Sequence, residues 1–218
     1  MQWAIIIGLG VLGFVGALVL LVRRAERART EALQQASLGL GLSFAAEGDL
    51  EQIKAVADLP LFGHGHSRHV TNVMIGRTGS ADVTVFDYQY TTGGGKESHT
   101  WRQTVVLYPG GARGLPDFVL APENVFHKLG QMFGYQDIDF DSSPLFSARY
   151  LLRGPDEAAI RSAFTDEVRG FLEQEQGWTV EVRAGSVGIY RAGKRVKPEE
   201  LFSRLEQSRA VLRALGER

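Results

Sequence analysis

The run from Trp3 to Val22 is 20 residues long and holds no charged or polar side chain apart from the Trp3 indole. At about 1.5 Å of rise per residue, a helix of this length spans roughly 30 Å, the thickness of a bilayer's hydrocarbon core. Inside it, Gly8-Leu9-Gly10-Val11-Leu12-Gly13 spells the Gly-x-Gly-x-x-Gly of a dinucleotide-binding turn. That turn needs a strand before the glycines and a second strand, ending in an acid, after the next helix. The chain continues instead with Arg23-Arg24-Ala25-Glu26-Arg27-Ala28-Arg29, a charged helical stretch that leaves Glu26 and Glu31 no strand to sit on. The match fails in context, and no cofactor is expected.

The same glycines suit a transmembrane helix. Ala4/Gly8 and Gly13/Ala17 are small-xxx-small pairs through which two such helices can approach, so a homodimer through the span is an expectation. The segment lacks the basic start, the short apolar stretch and the small-residue cleavage site of a signal peptide. Arg23, Arg24, Arg27 and Arg29 all lie after the span, so the positive-inside rule predicts a single-pass protein of a bacterial inner membrane with its large domain in the cytoplasm. The bilayer, met through Trp3 to Val22, is the first expected partner, and the arginine collar suits its anionic inner leaflet.

The chain divides into three segments: a transmembrane helix over 1–22, a juxtamembrane helical stalk over 23–40 closed by Gly39 and Gly41, and a soluble domain over 41–218. A point near 142–145 divides that domain into two halves, each a candidate small sheet under helices. With 24 Lys and Arg against 25 Asp and Glu there is no global field, and nucleic acid is not an expected partner. The absence of cysteine excludes disulfides, thiolate nucleophiles and iron-sulfur clusters.

Asp49 is a helix cap for a short helix through Ala57 that Pro60 stops. Three antiparallel strands are predicted over 70–75, 82–90 and 99–108, separated by turn-forming residues. A strand near 118–120 leads to a helix from Pro122-Glu123 through about Phe133, and another strand is expected over 146–152. One helix opens at Pro155-Asp156-Glu157 and runs through Leu172, a hairpin covers 178–191, and a last helix begins at Pro198 with Leu201, Leu205, Ser208, Leu212 and Leu215 on one stripe. Strand groups joined by short turns and broken by helices indicate an α+β class with antiparallel sheet packed with helices.

Four stretches resemble chemical sites. His64, His66 and His69 fall within six residues, a spacing that could offer three imidazoles to zinc, but they lie on a glycine-flanked loop beside the repelling Arg68. Gly93-Gly94-Gly95-Lys96 invites a phosphate loop, yet it joins two strands and lacks the flanking Gly and Ser or Thr. Asp137, Asp139 and Asp141 start like a calcium loop, but Ser142 and Ala148 stand where the glycine and glutamate are required, and alternation of Ile138 and Phe140 with solvated carboxylates explains them better. Asp87 shares a strand face with Val83 and Val85, and a carboxylate so placed needs a partner, expected to be Arg102 or Lys96, with Asn72 and Gln103 in the same buried polar network. No catalytic residue is assigned.

Asn72-Val73-Met74-Ile75-Gly76, Phe86-Asp87-Tyr88-Gln89-Tyr90, Gly93-Gly94-Gly95-Lys96, Gln103-Thr104-Val105 and the later Arg149-Tyr150, Asp156-Glu157, Phe164-Thr165 and Gly177-Trp178 resemble a family of bacterial membrane-anchored proteins, in which a single N-terminal span carries a soluble domain of unknown function. The resemblance implies an inner-membrane location and no activity. The expected role is a membrane-tethered binding or scaffold module for a protein partner or small ligand, with a metal-assisted hydrolase using His64, His66 and His69 as the alternative.

Overall fold

The computed structural model describes residues 2–123 and 135–216, with the side chains of residues 2–12 outside that description. One helix, α1 (Gln2–Gly39), opens the chain. Among the described residues, no helix is long and apolar enough to cross a membrane. The expected span Trp3–Val22 falls in part on residues 3–12, so its first half lies outside the described side chains. From Phe14 to Val22 the large apolar side chains of α1 are exposed. Farther along, Leu33 and Ser37 are buried, so the second half of the segment 23–40 belongs to the folded domain.

The domain is α+β, built on one eight-stranded antiparallel sheet. Its strands are β1 (Ser43–Gly48), β2 (His66–Thr78), β3 (Ala81–Thr92), β4 (His99–Tyr108), β5 (Phe118–Pro122), β6 (Tyr150–Arg153), β7 (Thr179–Arg183) and β8 (Ser186–Tyr190). Their spatial order is β1-β2-β3-β4-β8-β7-β5-β6, so β4 and β8 join the two strand groups. Among the described residues, the helices after α1 are α2 (Leu50–Val56), α3 (Pro144–Ser147), α4 (Glu157–Ala163), α5 (Asp166–Gln174) and α6 (Leu201–Ala214).

Alternation along the strands produces two buried faces. On one, Val83, Val85, Val106, Leu120, Val180 and Ile189 pack with Leu33 of α1, Ile160 and Phe164 from the α4 region, and Leu205, Val211 and Leu212 of α6. On the other, Phe86, Tyr88, Val105, Leu107 and Tyr190 pack with Ile53 of α2 and with Leu59, Leu61 and Phe62 around a single 3-10 turn (Pro60–Gly63). The second layer comes close at Gly188, where a Cβ would stand 2.3 Å from a Leu59 methyl.

Asp49 caps α2 by accepting the Glu51 amide at 2.9 Å, and the hydrophobic stripe of α6 is buried at Leu201, Leu205, Ser208, Leu212 and Leu215, both as the sequence predicts. Four local expectations change. Strand β1 has no sequence signal, because it is an edge strand whose residues are mostly exposed. Residues 144–147 form a helical turn in place of the expected start of a strand, since Pro144 occupies its first turn and Ser147 Oγ takes the Phe140 amide at 2.8 Å. The helix expected through Leu172 breaks at Thr165, whose hydroxyl caps α5. Asp137 is not a solvated strand carboxylate: it accepts the Leu152 amide at 2.8 Å and the Ile138 amide at 3.1 Å, and burial pushes its pKa up. Pro122 ends β5 opposite Tyr150, and the helix expected after it falls on residues 124–134, outside the described residues.

Candidate functional site

The site is the junction where α1 leaves the sheet. Asp87 sits in the middle of β3 on the face beneath α1, and it is 4% exposed. Between Thr71 and Met74 the register of β2 on β3 shifts, and within that irregularity Asn72 takes φ +52°. Asparagine tolerates this left-handed conformation better than most residues. It places the carboxamide where Nδ2 donates to Asp87 Oδ2 at 3.0 Å.

Arg29 of α1 completes the site. Its Nε donates to Asp87 Oδ2 at 2.9 Å and its Nη2 to Oδ1 at 3.0 Å, while Nη1 donates to the Val196 carbonyl at 2.7 Å. Thr104 Oγ1 on β4 also donates to Asp87 Oδ1 and accepts the Val196 amide at 2.9 Å. The carboxylate is thus surrounded by donors from α1, β2 and β4, the condition under which a buried charge is tolerated. One turn earlier on α1, Glu26 receives both arms of Arg195, at 2.7 and 2.9 Å. The Arg195 hydrogen bonds hold the Glu26 carboxyl below its usual range. Two forked arginine-carboxylate pairs of opposite polarity therefore clamp α1 to the domain. Val22, Glu26, His69, Gln89, Arg102 and Arg195 line a cleft of about 260 Å³ beside them.

The residues expected to surround Asp87 separate. Asn72 bonds to it; Arg102 instead donates to Gln89 Oε1 at 2.7 Å, at the cleft. Gln103, its neighbour on β4, points to the opposite face, where its Oε1 accepts the Gly193 amide at 3.0 Å. Arg29 takes the place expected for Arg102 or Lys96. It lies on another element far away in sequence, and no local pattern links a helix in the 20s to a strand in the 80s.

The three histidines do not converge. His64 is buried against Tyr90, and burial drives its imidazole down to about 4. His66 is exposed and contacts Ser67 Oγ at 3.0 Å and the Gly93 carbonyl at 3.2 Å, and His69 Nε2 lies 3.5 Å from Glu47. Arg68 donates to the Gly63, His64 and Gly65 carbonyls and so ties down the loop itself. Among the described residues, no group of three or more His, Cys, Asp or Glu is placed to hold a metal.

A second polar cluster leaves no recognisable mark in the sequence. Glu181 on β7 is 1% exposed on the face opposite Asp87 and accepts the Leu61 amide at 2.9 Å and the Tyr190 hydroxyl at 2.7 Å. Burial pushes its pKa up to about 7. Tyr88 and Tyr90 are buried on the same face. The alternating Thr179-Val180-Glu181-Val182-Arg183 makes Glu181 look like an outward-facing polar residue, which it would be in a sheet covered on one side only.

Comparison with known proteins gives a fold. No family model matches the chain, and no curated protein sequence matches it. The crystal structure of the mycobacterial trehalose monomycolate transport factor A, TtfA, superposes with a TM-score of 0.65 at 12% sequence identity, over 87% of this chain and 96% of that one. At that identity the likeness is one of fold: this chain shares the architecture of TtfA.

Proposed function

We propose that the chain is a membrane-tethered binding or scaffold module whose domain sits on the cytoplasmic side of a bacterial inner membrane. The observation that carries this is α1 itself. Its segment from Phe14 to Val22 is apolar and exposed, with Leu20 at 67% and Phe14 at 72%, while the same helix is fixed to the sheet through Arg29 and Glu26. An exposed apolar helix face of this size needs a cover, and lipid supplies one. Because the helix is continuous, the clamp fixes how the domain sits relative to whatever holds the apolar end. The name of the structural neighbour, a trehalose monomycolate transport factor, favours a role beside a transport process, holding a cargo or a partner at the membrane.

Fractionation of cells expressing the full chain tests the tether, and reporter fusions after Arg218 test its orientation. The chain is expected in the membrane fraction after alkaline extraction, with a cytoplasm-active reporter. Recovery in the soluble fraction would overturn the tether, and a periplasm-active reporter would overturn the orientation.

A further inference from the structure

Val22 and Glu26 of α1 share a cleft with Arg102, near the start of β4, and with Arg195, in the segment that follows β8, so that segment lies at the end of the sheet from which α1 departs. There a hollow of about 430 Å³ is lined by Arg149 ahead of β6, Arg191 after β8, and Lys194. None of these three cations forms an ion pair among the described residues. Arg149 Nη1 donates to the Glu173 carbonyl at 2.9 Å, which holds the side chain in place without neutralising it. The Arg191 guanidinium lies 4.6 Å from the centre of the Trp178 ring, with its Nε buried and unpartnered. Arg204 of α6 lies 5.0 Å from the same ring, and its pKa is lowered by burial and then by the Arg191 charge. The Glu200 charge acts on Arg204 in the opposite sense, but Arg149, Arg191 and Lys194 are in no ion pair among the described residues, and like charges left unpaired favour the arrival of an anion. The acidic lining residue, Glu123, is exposed.

Shared lining residues link the hollow to the α1 exit. Lys194 also lines a neighbouring hollow together with Arg102, and Arg102 lines the cleft that Val22 borders. A basic rim thus runs from the last residue of the apolar run to Arg149. Forked guanidinium donors suit phosphate oxygens, and cations held near an anionic leaflet are attracted to it.

We propose that this hollow binds the phosphate headgroup of an anionic phospholipid in the leaflet that α1 enters, with Arg149, Arg191 and Lys194 as its anchors. The proposal rests on the membrane tether proposed above. It gives the domain a second attachment to the bilayer, so that the domain lies down on the membrane surface.

The test uses the full chain in phosphatidylcholine nanodiscs containing a trace of phosphatidylglycerol with a photoactivatable headgroup, and crosslinks are mapped by peptide mass spectrometry. The expected label falls on the segments containing Arg149 and 191–194, dropping about fivefold in Lys194→Gln and further in the double variant with Arg149→Gln. Arg191 is left intact because it packs on Trp178. Should Arg149→Gln lower the thermal midpoint, Lys194→Gln alone, at an exposed position, carries the comparison. Unchanged label in Lys194→Gln, or equal label from a matched phosphatidylcholine probe, would overturn the headgroup site. Displacement of the label by micromolar inorganic phosphate would assign the hollow to a soluble anion and overturn it as well. Failure of the chain to enter nanodiscs at all would bring down the tether and the headgroup site together, whereas insertion without headgroup label brings down the headgroup site alone.

Discussion

Arg29 and Asp87, 58 residues apart in sequence, meet through both carboxylate oxygens, at 2.9 and 3.0 Å, and this pair joins the helix that opens the chain to the centre of the sheet. The side chains are 13% and 5% exposed, so the pair is largely dry. Removing one member strands the other charge. Arg29→Ala is expected to lower the stability of the full chain by about 3 to 5 kcal/mol, and Arg29→Lys, which keeps the charge but loses the fork, by less. Chemical denaturation measures the loss, and amide exchange along residues 26–38 should rise in both variants.

The Glu181 carboxyl titrates near 7 in the folded protein against an ordinary value of 4.5. Between those two values the folded state holds a proton that the unfolded state has released, so this group makes stability fall as pH rises through that window and reach its full deficit above about 7. His64 acts in the opposite sense. Its folded value of about 4 against 6.5 means that the unfolded state binds the extra proton, so stability rises with pH over that interval. The two slopes largely offset each other in the native chain. Glu181→Gln keeps an acceptor for the Leu61 amide and is expected to add roughly 3 kcal/mol at pH 8 and to expose the rising His64 slope. His64→Gln should expose the falling one. Denaturation midpoints at pH 5 and pH 8 distinguish the two, and flat profiles in both variants would contradict these assignments.

Asn72 combines a left-handed backbone with a hydrogen bond to Asp87. Asn72→Gly removes the bond but also the Cβ that strains a left-handed backbone, whereas Asn72→Ala removes the bond and keeps a Cβ at φ +52°. The alanine variant is expected to be the less stable by about 1 kcal/mol, read from paired urea titrations.

The β7–β8 hairpin turns through Ala184 at φ +48° and Gly185 at φ +77°. Positive φ at both central residues is the type I′ turn, which favours Asn or Gly at its first position. Ala184→Asn should therefore raise the thermal midpoint, with a gain of about 1 kcal/mol.

Much of the fold is legible locally. The alternation in β2, β3 and β4, the Asp49 cap and the buried stripe of α6 depend on a few neighbouring residues, and the structure places them close to where the sequence does. Strand β1 leaves no such mark, because an edge strand buries little and needs no alternating pattern. The site is only half legible. A carboxylate among valines announces that it needs a partner, and Asn72 is within reach on the neighbouring strand. Which cation supplies the charge is decided by how α1 crosses the sheet.

The sequence by itself determined an uncharged 20-residue run ahead of an arginine cluster, an α+β domain with antiparallel strands, and the failure of each borrowed catalytic pattern. These come from length, periodicity and the absence of required residues, all of which are properties of contiguous chain. Tertiary structure alone decided that Arg29, not Arg102, meets Asp87, that Glu181 is sealed between sheet and 3-10 turn, and that Arg149, Arg191 and Lys194 share one hollow. Each of those depends on closing loops of many residues. Such closures are selected by the packing of the whole core, and no short window of sequence contains that information.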